Sequence, residues 1–262
     1  RFGRNHPSAV HHSLCGHAGG TTTSPGSCAL GEIRYLILDA TYGSVRMGLS
    51  VVSGAVLVAV GVTGEGRRRI LGLSTSVSEA EVHWRTFLQS LLKRGLHGVE
   101  LISSDDHSGL RAALKSCFPA VPWNRCQFHL QQNAQGYVPK VGMRKEVARD
   151  IRTIFRAPNR QEGDRYLKIV IEKYSKTAPK LSDWMEKNIP EGLEVFQVPY
   201  TYQRFLRTTN MVERQMKEIK RRTRVAMVFP NEKSLLRLVS AILMEVDEQW
   251  QQGKRYLPVE SE

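Results

Sequence analysis

The chain has 262 residues, of which 41% are apolar, 8% aromatic and 24% charged, and its formal net charge is +13. At roughly 150 residues per domain, this length indicates one large domain or two small ones, and the composition excludes disordered and fibrous proteins. The longest apolar run, residues 49–62, is shorter than the ~18–20 residues of a membrane span. The basic balance indicates a polyanionic partner, above all nucleic acid.

The positive charge is concentrated in two blocks of the C-terminal half. Residues 140–180 carry a net charge of +7 and residues 201–224 carry +6, whereas residues 181–200 (−3) and 225–262 (−2) are acidic. One basic block alone is typical of a solvated helix face. Two such blocks, with acidic sequence between and after them, favour a surface that binds phosphates.

Residues 1–30 differ from the rest of the sequence, because they carry four of the eight histidines and no apolar periodicity. We expect a disordered tail here. His11, His12, Cys15 and His17 could instead ligate a soft metal, although no framework surrounds them. The four cysteines of the chain are too few for a disulfide scaffold, and no signal peptide is visible, so the sequence predicts a cytoplasmic protein.

The apolar patterns that follow predict an α/β chain with five strands. In order, they predict a strand at 33–40, a hairpin of strands at 55–62 and 68–74, a helix from Ser78 to Gly95, a strand at 99–103, a helix at 108–118 and a strand at 121–128. From 131 to 224 the pattern is helical with interruptions by proline, and a last amphipathic helix is predicted at 233–250.

Asp39 and Asp105 both end predicted strands, which is where α/β folds place their functional sites. Either aspartate alone is common turn chemistry, with Asp106 or Ser108 as the cap of the helix that follows. As a pair on strands that a five-stranded sheet would make neighbours, they are candidate metal ligands. Carboxylates suit Mg²⁺, which binds oxygen ligands and keeps part of its hydration.

Glu213 lies at the head of the most basic predicted helix. The spacing Asn210-x-x-Glu213 has the form of a capping box, and Glu213 could equally pair with Lys217, four residues further on. A single acid at the start of a helix that binds phosphates is also a candidate metal ligand. The spacing leaves these alternatives open.

Cys126-x-x-His129 is half of a zinc-binding pattern. No second pair of Cys or His follows it, and Cys117 is the nearest additional thiol. We therefore do not expect zinc at Cys126 and His129, and a buried cysteine beside a hydrogen-bonded histidine is the simpler interpretation.

Four blocks, in order, carry a resemblance to a known family. They are residues 38–42 (LDATY), 104–110 (SDDHSGL), 125–129 (RCQFH) and 209–223, which contains TNMVER and KEIKRRT. With these blocks the chain, from about Tyr35 to Leu257, resembles the Mutator-type transposases of bacterial insertion sequences. The resemblance implies an RNase H-like fold: a mixed five-stranded sheet, flanking helices and an all-helical insertion before the Glu-bearing helix.

The resemblance also assigns roles to residues of this sequence. Asp39, Asp105 and Glu213 match the catalytic, metal-binding triad, which holds two Mg²⁺ ions, for which Mn²⁺ can substitute. Cys126 and His129 match a Cys-x-x-His signature, for which we expect a structural or DNA-positioning role. The basic residues expected to contact DNA are Arg207, Arg214, Lys217, Lys220, Arg221 and Arg222.

The implied activity is metal-dependent cleavage at transposon ends and transfer of the 3′-OH to target DNA, on double-stranded DNA and by a homodimer or higher oligomer. We expect a tail at 1–32, a catalytic core at 33–132 and 201–258, a helical insertion at 133–200 and a tail at 259–262. Because family members carry a DNA reader ahead of the first Asp, a truncated or frame-shifted copy is expected. A catalytically inactive DNA-binding remnant is the alternative, and a structural zinc protein is a weaker third.

Overall fold

The computed structural model describes residues 10–12, 29–224 and 228–258. The chain forms two compact units. Unit 1 comprises the described parts of residues 1–100, 106–121 and 211–262, and unit 2 comprises residues 101–105 and 122–210. No helix in the described ranges is both long enough and apolar enough to cross a membrane.

Across these described ranges, the chain contains six strands and nine α-helices. The strands are β1 (Val10–His12), β2 (Tyr35–Met47), β3 (Ser50–Val62), β4 (Arg68–Ser76), β5 (Leu101–Ser104) and β6 (Trp123–Arg125). The helices are α1 (Glu81–Lys93), α2 (Ser108–Cys117), α3 (Gln127–Ala134), α4 (Arg144–Phe155), α5 (Arg160–Ser175), α6 (Pro179–Asn188), α7 (Tyr200–Leu206), α8 (Asn210–Arg224) and α9 (Glu232–Gln252).

Unit 1 contains four antiparallel strands in the order β1-β4-β3-β2. β2 and β3 pair along their whole length, from Tyr35 opposite Val62 to Met47 opposite Ser50. Gly48 turns the chain between them with φ +62°, a conformation that glycine adopts without a steric cost. β3 is rich in valine and is buried from residue 54 to residue 62, so it forms the centre of the unit's core.

The predicted end of the first strand is wrong. We expected it to stop at residue 40, but β2 continues to Met47, so Asp39 lies within the strand, opposite Val58. The continuous apolar run ends at Leu38, before Asp39, whereas the strand continues with mixed residues that include the fully buried Val45. Pairing with β3 therefore extends β2 past the point where apolar content alone would end it.

α1 packs on β4 through an apolar face. Trp84, Phe87, Leu88 and Leu91 are buried at helical spacing. A Cβ atom at Gly72 of β4 would lie 3.4–3.5 Å from Leu91 and Phe87, so the small residue brings helix and strand into close contact. The predicted end of this helix is confirmed, since Gly95 follows it with φ +85°.

Unit 2 combines a parallel pair of strands with a helical core of its own. β5 and β6 run parallel, with Ser104 opposite Arg125. The core is formed by apolar side chains from α3 to α6 and the turns after them, among them Leu130, Ile151, Tyr174, Met185 and Leu193. The predicted strand at 121–128 was too long, because the chain enters α3 at Gln127.

The predicted fold class is confirmed. The chain has antiparallel strands in unit 1, a parallel pair in unit 2, helices that flank them and a helical segment ahead of α8. An antiparallel meander followed by helix, strand, helix and strand is the element order of the RNase H-like fold that the resemblance implies. The boundaries predicted for the insertion, 133 and 200, stay predictions, since unit 2 takes in 101–105 and runs from 122 to 210.

Part of the predicted N-terminal tail is ordered. Val10–His12 form β1, a sixth strand beside the five predicted, which pairs with β4. Leu30 is buried, and its amide donates a 2.8 Å hydrogen bond to the carbonyl oxygen of Arg94. The rest of residues 1–28, which includes Cys15 and His17 of the candidate soft-metal group, lies outside the described residues, as do residues 259–262.

A carboxylate of α9 completes the hydrogen bonding of β4. The amide of Ile70 donates to Asp247 Oδ1 at 2.7 Å. β1 pairs with β4 only from Leu73 to Thr75, so Ile70 lies beyond the end of that pairing. Asp247 is 9% exposed, and burial raises the pKa of its carboxyl above the ordinary 3.8.

We expect Asp247→Ala to lower the free energy of unfolding by about 1–3 kcal/mol, because the buried amide of Ile70 loses its acceptor. Asp247→Asn keeps an oxygen acceptor and is the matched control. Because the folded pKa of Asp247 is raised, its contribution to stability falls as the pH rises from about 4 through that folded pKa, and the Asn variant lacks this slope. Urea unfolding at several pH values measures the loss of stability and its pH slope. An Ala variant as stable as the parent would contradict the role of the hydrogen bond, and an Asn variant with the parent's slope would contradict the role of the carboxyl.

Gly109 of α2 lies against the chain that leads into α1. A Cβ atom built on Gly109 would overlap the carbonyl oxygen of Glu79 and lie 2.8 Å from the amide nitrogen of Glu81. Both neighbours are backbone atoms, so a larger residue at this position would force the main chain to move.

Gly109→Ala is expected to destabilise the protein by roughly 1–3 kcal/mol, the usual cost of overpacking. Gly136→Ala is the control, since a Cβ atom there meets nothing within 4 Å. Thermal unfolding followed by circular dichroism compares the two variants. A melting temperature of the Gly109 variant as high as that of the control would show that the backbone yields at no cost.

Candidate active site

Asp39 occupies a half-buried position within β2. Its strand neighbours on the same face, Ile37 and Thr41, are buried. Asp39 Oδ1 accepts a 2.8 Å hydrogen bond from the amide of Ala40. The carboxylate is therefore held by the backbone of its own strand and keeps a partly accessible side chain, as a ligand for an incoming cation requires.

Glu79, in the segment before α1, joins two of the sequence blocks within unit 1. Tyr42 donates a 2.6 Å hydrogen bond from its hydroxyl to Glu79 Oε1, and His107 Nδ1 lies 3.9 Å from Glu79 Oε2. Burial and the contact with Glu79 raise the pKa of Tyr42 to about 12. Tyr42 stays a hydrogen-bond donor at neutral pH, and it fixes the strand that carries Asp39 to the segment before α1.

Sequence reasoning missed Glu79. In the sequence it stands in Ser78-Glu79-Ala80-Glu81, which is typical of an acidic helix start. Two features of the sequence could have indicated it: Glu79 stands just before a helix start, and Tyr42 ends the first block. Nothing in the spacing joins Glu79 to Tyr42, because 37 residues separate them.

In unit 2, Asp105 follows β5 directly, as predicted, and His129 of α3 lies against it. His129 Nδ1 is 3.5 Å from Asp105 Oδ1. The Asp105 side chain is 45% exposed, whereas the His129 side chain is only 21% exposed. The imidazole therefore contacts the carboxylate from the protein side and leaves part of it open to solvent.

The position of α3 is fixed by hydrogen bonds at Cys126, the residue before it. The amide of Cys126 donates to the carbonyl oxygen of Ser104 at 2.8 Å, which ties the start of α3 to the end of β5. Cys126 Sγ is fully buried and accepts hydrogen bonds from the amide and the hydroxyl of Thr209, both at 3.4 Å. The predicted pair Cys126 and His129 is thus brought together with Asp105.

The surroundings of Cys126 favour negative charge on its sulfur. Burial alone raises the pKa of the thiol, but hydrogen bonds from His129 and Thr209 outweigh burial, so the pKa is lowered. By contrast, burial raises the pKa of Cys117. The sulfur of Cys126 therefore acts as a hydrogen-bond acceptor that holds Thr209 against the start of α3, the helix that carries His129.

Glu213 stands in the first turn of α8 and is half-buried beside the buried Val212. Arg214, Lys217 and Lys220 of the same helix are exposed. Neither Lys217 nor Lys220 forms an ion pair in the described part of the chain. Their charges are therefore not neutralised by a carboxylate of the described residues, and their binding to phosphates stays a prediction.

Two other predicted DNA contacts are already paired. Arg221 and Arg222 both bind Glu218 at 2.7 Å, and Arg222 also binds Glu245 at 2.8 Å. These hydrogen bonds lower the pKa of the half-buried Glu218 to about 2. Exposed pairs of this kind contribute little stability, so a phosphate could compete for either arginine.

Arg207 differs from the α8 residues, since it belongs to unit 2. Its carbonyl oxygen accepts a 2.9 Å hydrogen bond from the amide of Gln127, at the start of α3. Burial lowers the pKa of Arg207, and the nearby charge of Arg156 lowers it further. The main chain of Arg207 therefore lies next to the start of the helix that carries His129, and its guanidinium lies close to a like charge.

The predicted triad is thus distributed over both units, with Asp39 and Glu213 in unit 1 and Asp105 in unit 2. All three carboxylates are at least partly exposed. Oxygen ligands of this kind suit a hard divalent cation such as Mg²⁺.

Comparison with known proteins identifies the family of the chain. The family model described as "Transposase, Mutator family" matches residues 29–253. The chain is 53% identical over 228 residues to the transposase for insertion sequence element IS406 of Burkholderia multivorans, and 37% identical over 263 residues to that for ISRM5 of Rhizobium meliloti. It is 35% identical over 226 residues to the transposase for IS256 in transposon Tn4001 of Staphylococcus aureus.

These alignments cover 87%, 95% and 82% of the chain, and 59%, 66% and 55% of the three relatives. The chain therefore spans about three fifths of the length of these relatives. The family match, by contrast, includes the whole range from Asp39 to Glu213 and all four blocks. The chain belongs to the Mutator family of transposases.

Proposed function

We propose that this chain carries the catalytic part of a DNA transposase, which cuts strands at transposon ends and transfers the resulting 3′-OH to target DNA. Asp39, Asp105 and Glu213 are the proposed catalytic residues. The observation that supports this best is the placement of Asp105, which follows β5, is partly exposed and has His129 against it. A carboxylate that is positioned by a neighbouring imidazole and still accessible is suited to hold a metal.

The proposed cofactor is Mg²⁺, two ions per site, with Mn²⁺ as a substitute. Asp39, Asp105 and Glu213 would hold the ions through carboxylate oxygens, which is the donor type that Mg²⁺ prefers. When bound, divalent ions at such a site supply positive charge that activates water and stabilises the leaving 3′ oxygen. No serine or tyrosine nucleophile is required.

The residues of the chain supply orientation and charge for this reaction. His129 positions the Asp105 carboxylate, and Cys126 positions α3, from which His129 extends. Lys217 and Lys220 of α8 would contact phosphates of the bound DNA, mostly without regard to base sequence. The proposed partners are transposon-end and target duplexes, held by a dimer or higher oligomer that pairs two ends.

Asp105→Asn is expected to lower Mg²⁺- or Mn²⁺-dependent nicking of plasmid DNA by more than about 100-fold. Mutation of residues that only hydrogen-bond a metal ligand already lowers activity by about 10–100-fold, and Asp105 is proposed as a ligand itself. DNA affinity should be unchanged. Asp106→Asn is the matched control, since the neighbouring Asp106 instead binds Arg111 at 3.2 Å, and it should keep activity within a few-fold. Gel assays of nicking and strand transfer measure the result.

If Asp105→Asn is as active as the parent chain in these assays, Asp105 is not a catalytic metal ligand. A parent chain that binds DNA but never nicks it would favour the inactive remnant as its function.

His129→Ala should lower the nicking rate by roughly 10–100-fold, the range found for outer contacts of metal sites. Because His129 acts through Asp105, this variant should also need more Mn²⁺ for its half-maximal rate. His129→Asn keeps an N–H group near the position of Nδ1 and should recover part of the loss. A lowered melting temperature with an unchanged Mn²⁺ requirement would show that His129 is only structural.

A further inference from the structure

Helix α4 of unit 2 carries a row of cations on one face. Lys145, Arg149 and Arg152 of α4, and Arg156 directly after its last residue, follow one another at intervals of four, three and four residues. This spacing places all four within a narrow stripe on one side of the helix. All four are exposed, whereas Val147, Ile151 and Ile154 of the same helix are buried in the core of unit 2. We call these four residues the α4 stripe.

Acidic side chains neutralise other cations of unit 2 but not the stripe. Glu146 and Asp150, the acids of α4, both bind Lys173 of α5, at 2.7 and 2.6 Å. Arg160 binds Asp164 and Glu194, and Arg165 binds Glu162. In the described chain none of the four stripe residues forms an ion pair. The four charges of the stripe are thus left unpaired on one side of the helix.

Arg207 extends the stripe toward Asp105. It lies close enough to Arg156 for the like charge to lower its pKa. Its carbonyl oxygen binds the amide of Gln127, in the same helix as His129. Arg156, at the end of the stripe, and Arg207 are therefore neighbouring cations, and the main chain of Arg207 is bonded to the start of the helix that carries His129, all within unit 2.

We propose that the α4 stripe, with Arg207, binds the sugar-phosphate backbone of duplex DNA and guides it to Asp105. From Lys145 to Arg156 the stripe covers twelve residues, or eleven helical steps, which is a rise of about 16 Å. A DNA duplex carries about one phosphate charge per 1.7 Å, or roughly ten over that length. Lysine and arginine contacts to phosphates position the duplex without reading its bases.

The side chains of α4 itself favour duplex over single-stranded DNA. Single strands are bound through aromatic side chains on which bases stack. The aromatic residue of α4, Phe155, is buried in the core of unit 2. The inference rests on the proposed function for the identity of the polyanion, since a transposase must hold a duplex beside its carboxylates.

The test compares two variants of the full chain that lose the same amount of charge. In the stripe variant, Lys145, Arg149, Arg152 and Arg156 are changed to Gln. In the control variant, the exposed Lys168, Lys176, Lys180 and Lys187 of the same unit are changed to Gln. Circular dichroism confirms that each variant is folded. The affinity for a 30-base-pair duplex is measured by fluorescence anisotropy at several salt concentrations, without divalent metal.

We expect the stripe variant to flatten the slope of log affinity against log salt by about three to four, since each lost phosphate contact removes about 0.9. The control should flatten it by less than one. Equal slopes in the two variants would overturn the proposal. It would also be overturned if the stripe variant lost binding to poly-glutamate but kept the duplex, because the partner would then be an acidic protein.

The proposed function and the stripe can fail separately. If the parent chain never nicks DNA but the stripe variant flattens the salt slope, the role of the stripe is supported and the proposed catalysis is contradicted. Metal-dependent nicking by the parent chain, together with unchanged slopes in the stripe variant, supports the catalysis and overturns the stripe. Asp105→Asn should keep the full slope, because it removes no cation.

Discussion

The buried sulfur of Cys126 is the contact on which the geometry around Asp105 depends. This sulfur accepts two hydrogen bonds from Thr209, and the amide of Cys126 donates to the carbonyl oxygen of Ser104 at the end of β5. A buried donor left without an acceptor costs about 1–3 kcal/mol, so this junction resists movement. His129 extends from the first turn of the helix that starts here, and its contact with Asp105 follows from the position of that helix.

Unit 1 has a comparable anchor at the far end of its sheet. The guanidinium of Arg68 lies between Trp250 and Tyr256, 4.5 and 4.8 Å from their ring centres. The amides of Tyr256 and Leu257 both donate to the carbonyl oxygen of Gly66. With Asp247 bound to Ile70, these contacts attach α9 and the segment after it to β4. The sheet that carries Asp39 therefore has its edge covered by α9.

How far the sequence predicts these features depends on whether the deciding contact is local. The apolar run of β3 and the glycine after α1 act within a few residues, and both elements were predicted. The extent of β2 depends on pairing with β3, and the bond between Tyr42 and Glu79 crosses 37 residues, so neither follows from a pattern. Cys126 and His129 were found as a motif, but their attachment to Asp105 and Thr209 required the fold.

The same distinction applies to charge. Arg221 and Arg222 pair with Glu218 three and four residues away, a spacing that the sequence shows directly. Lys173 takes up both acids of α4 only because α5 packs against that helix, so the sequence cannot show that the α4 stripe is left unpaired. A net charge of +13 indicates a polyanion, but the pairing within the fold decides which cations remain to bind it. For α4, the four residues of the stripe remain, because both acids of the helix bind Lys173.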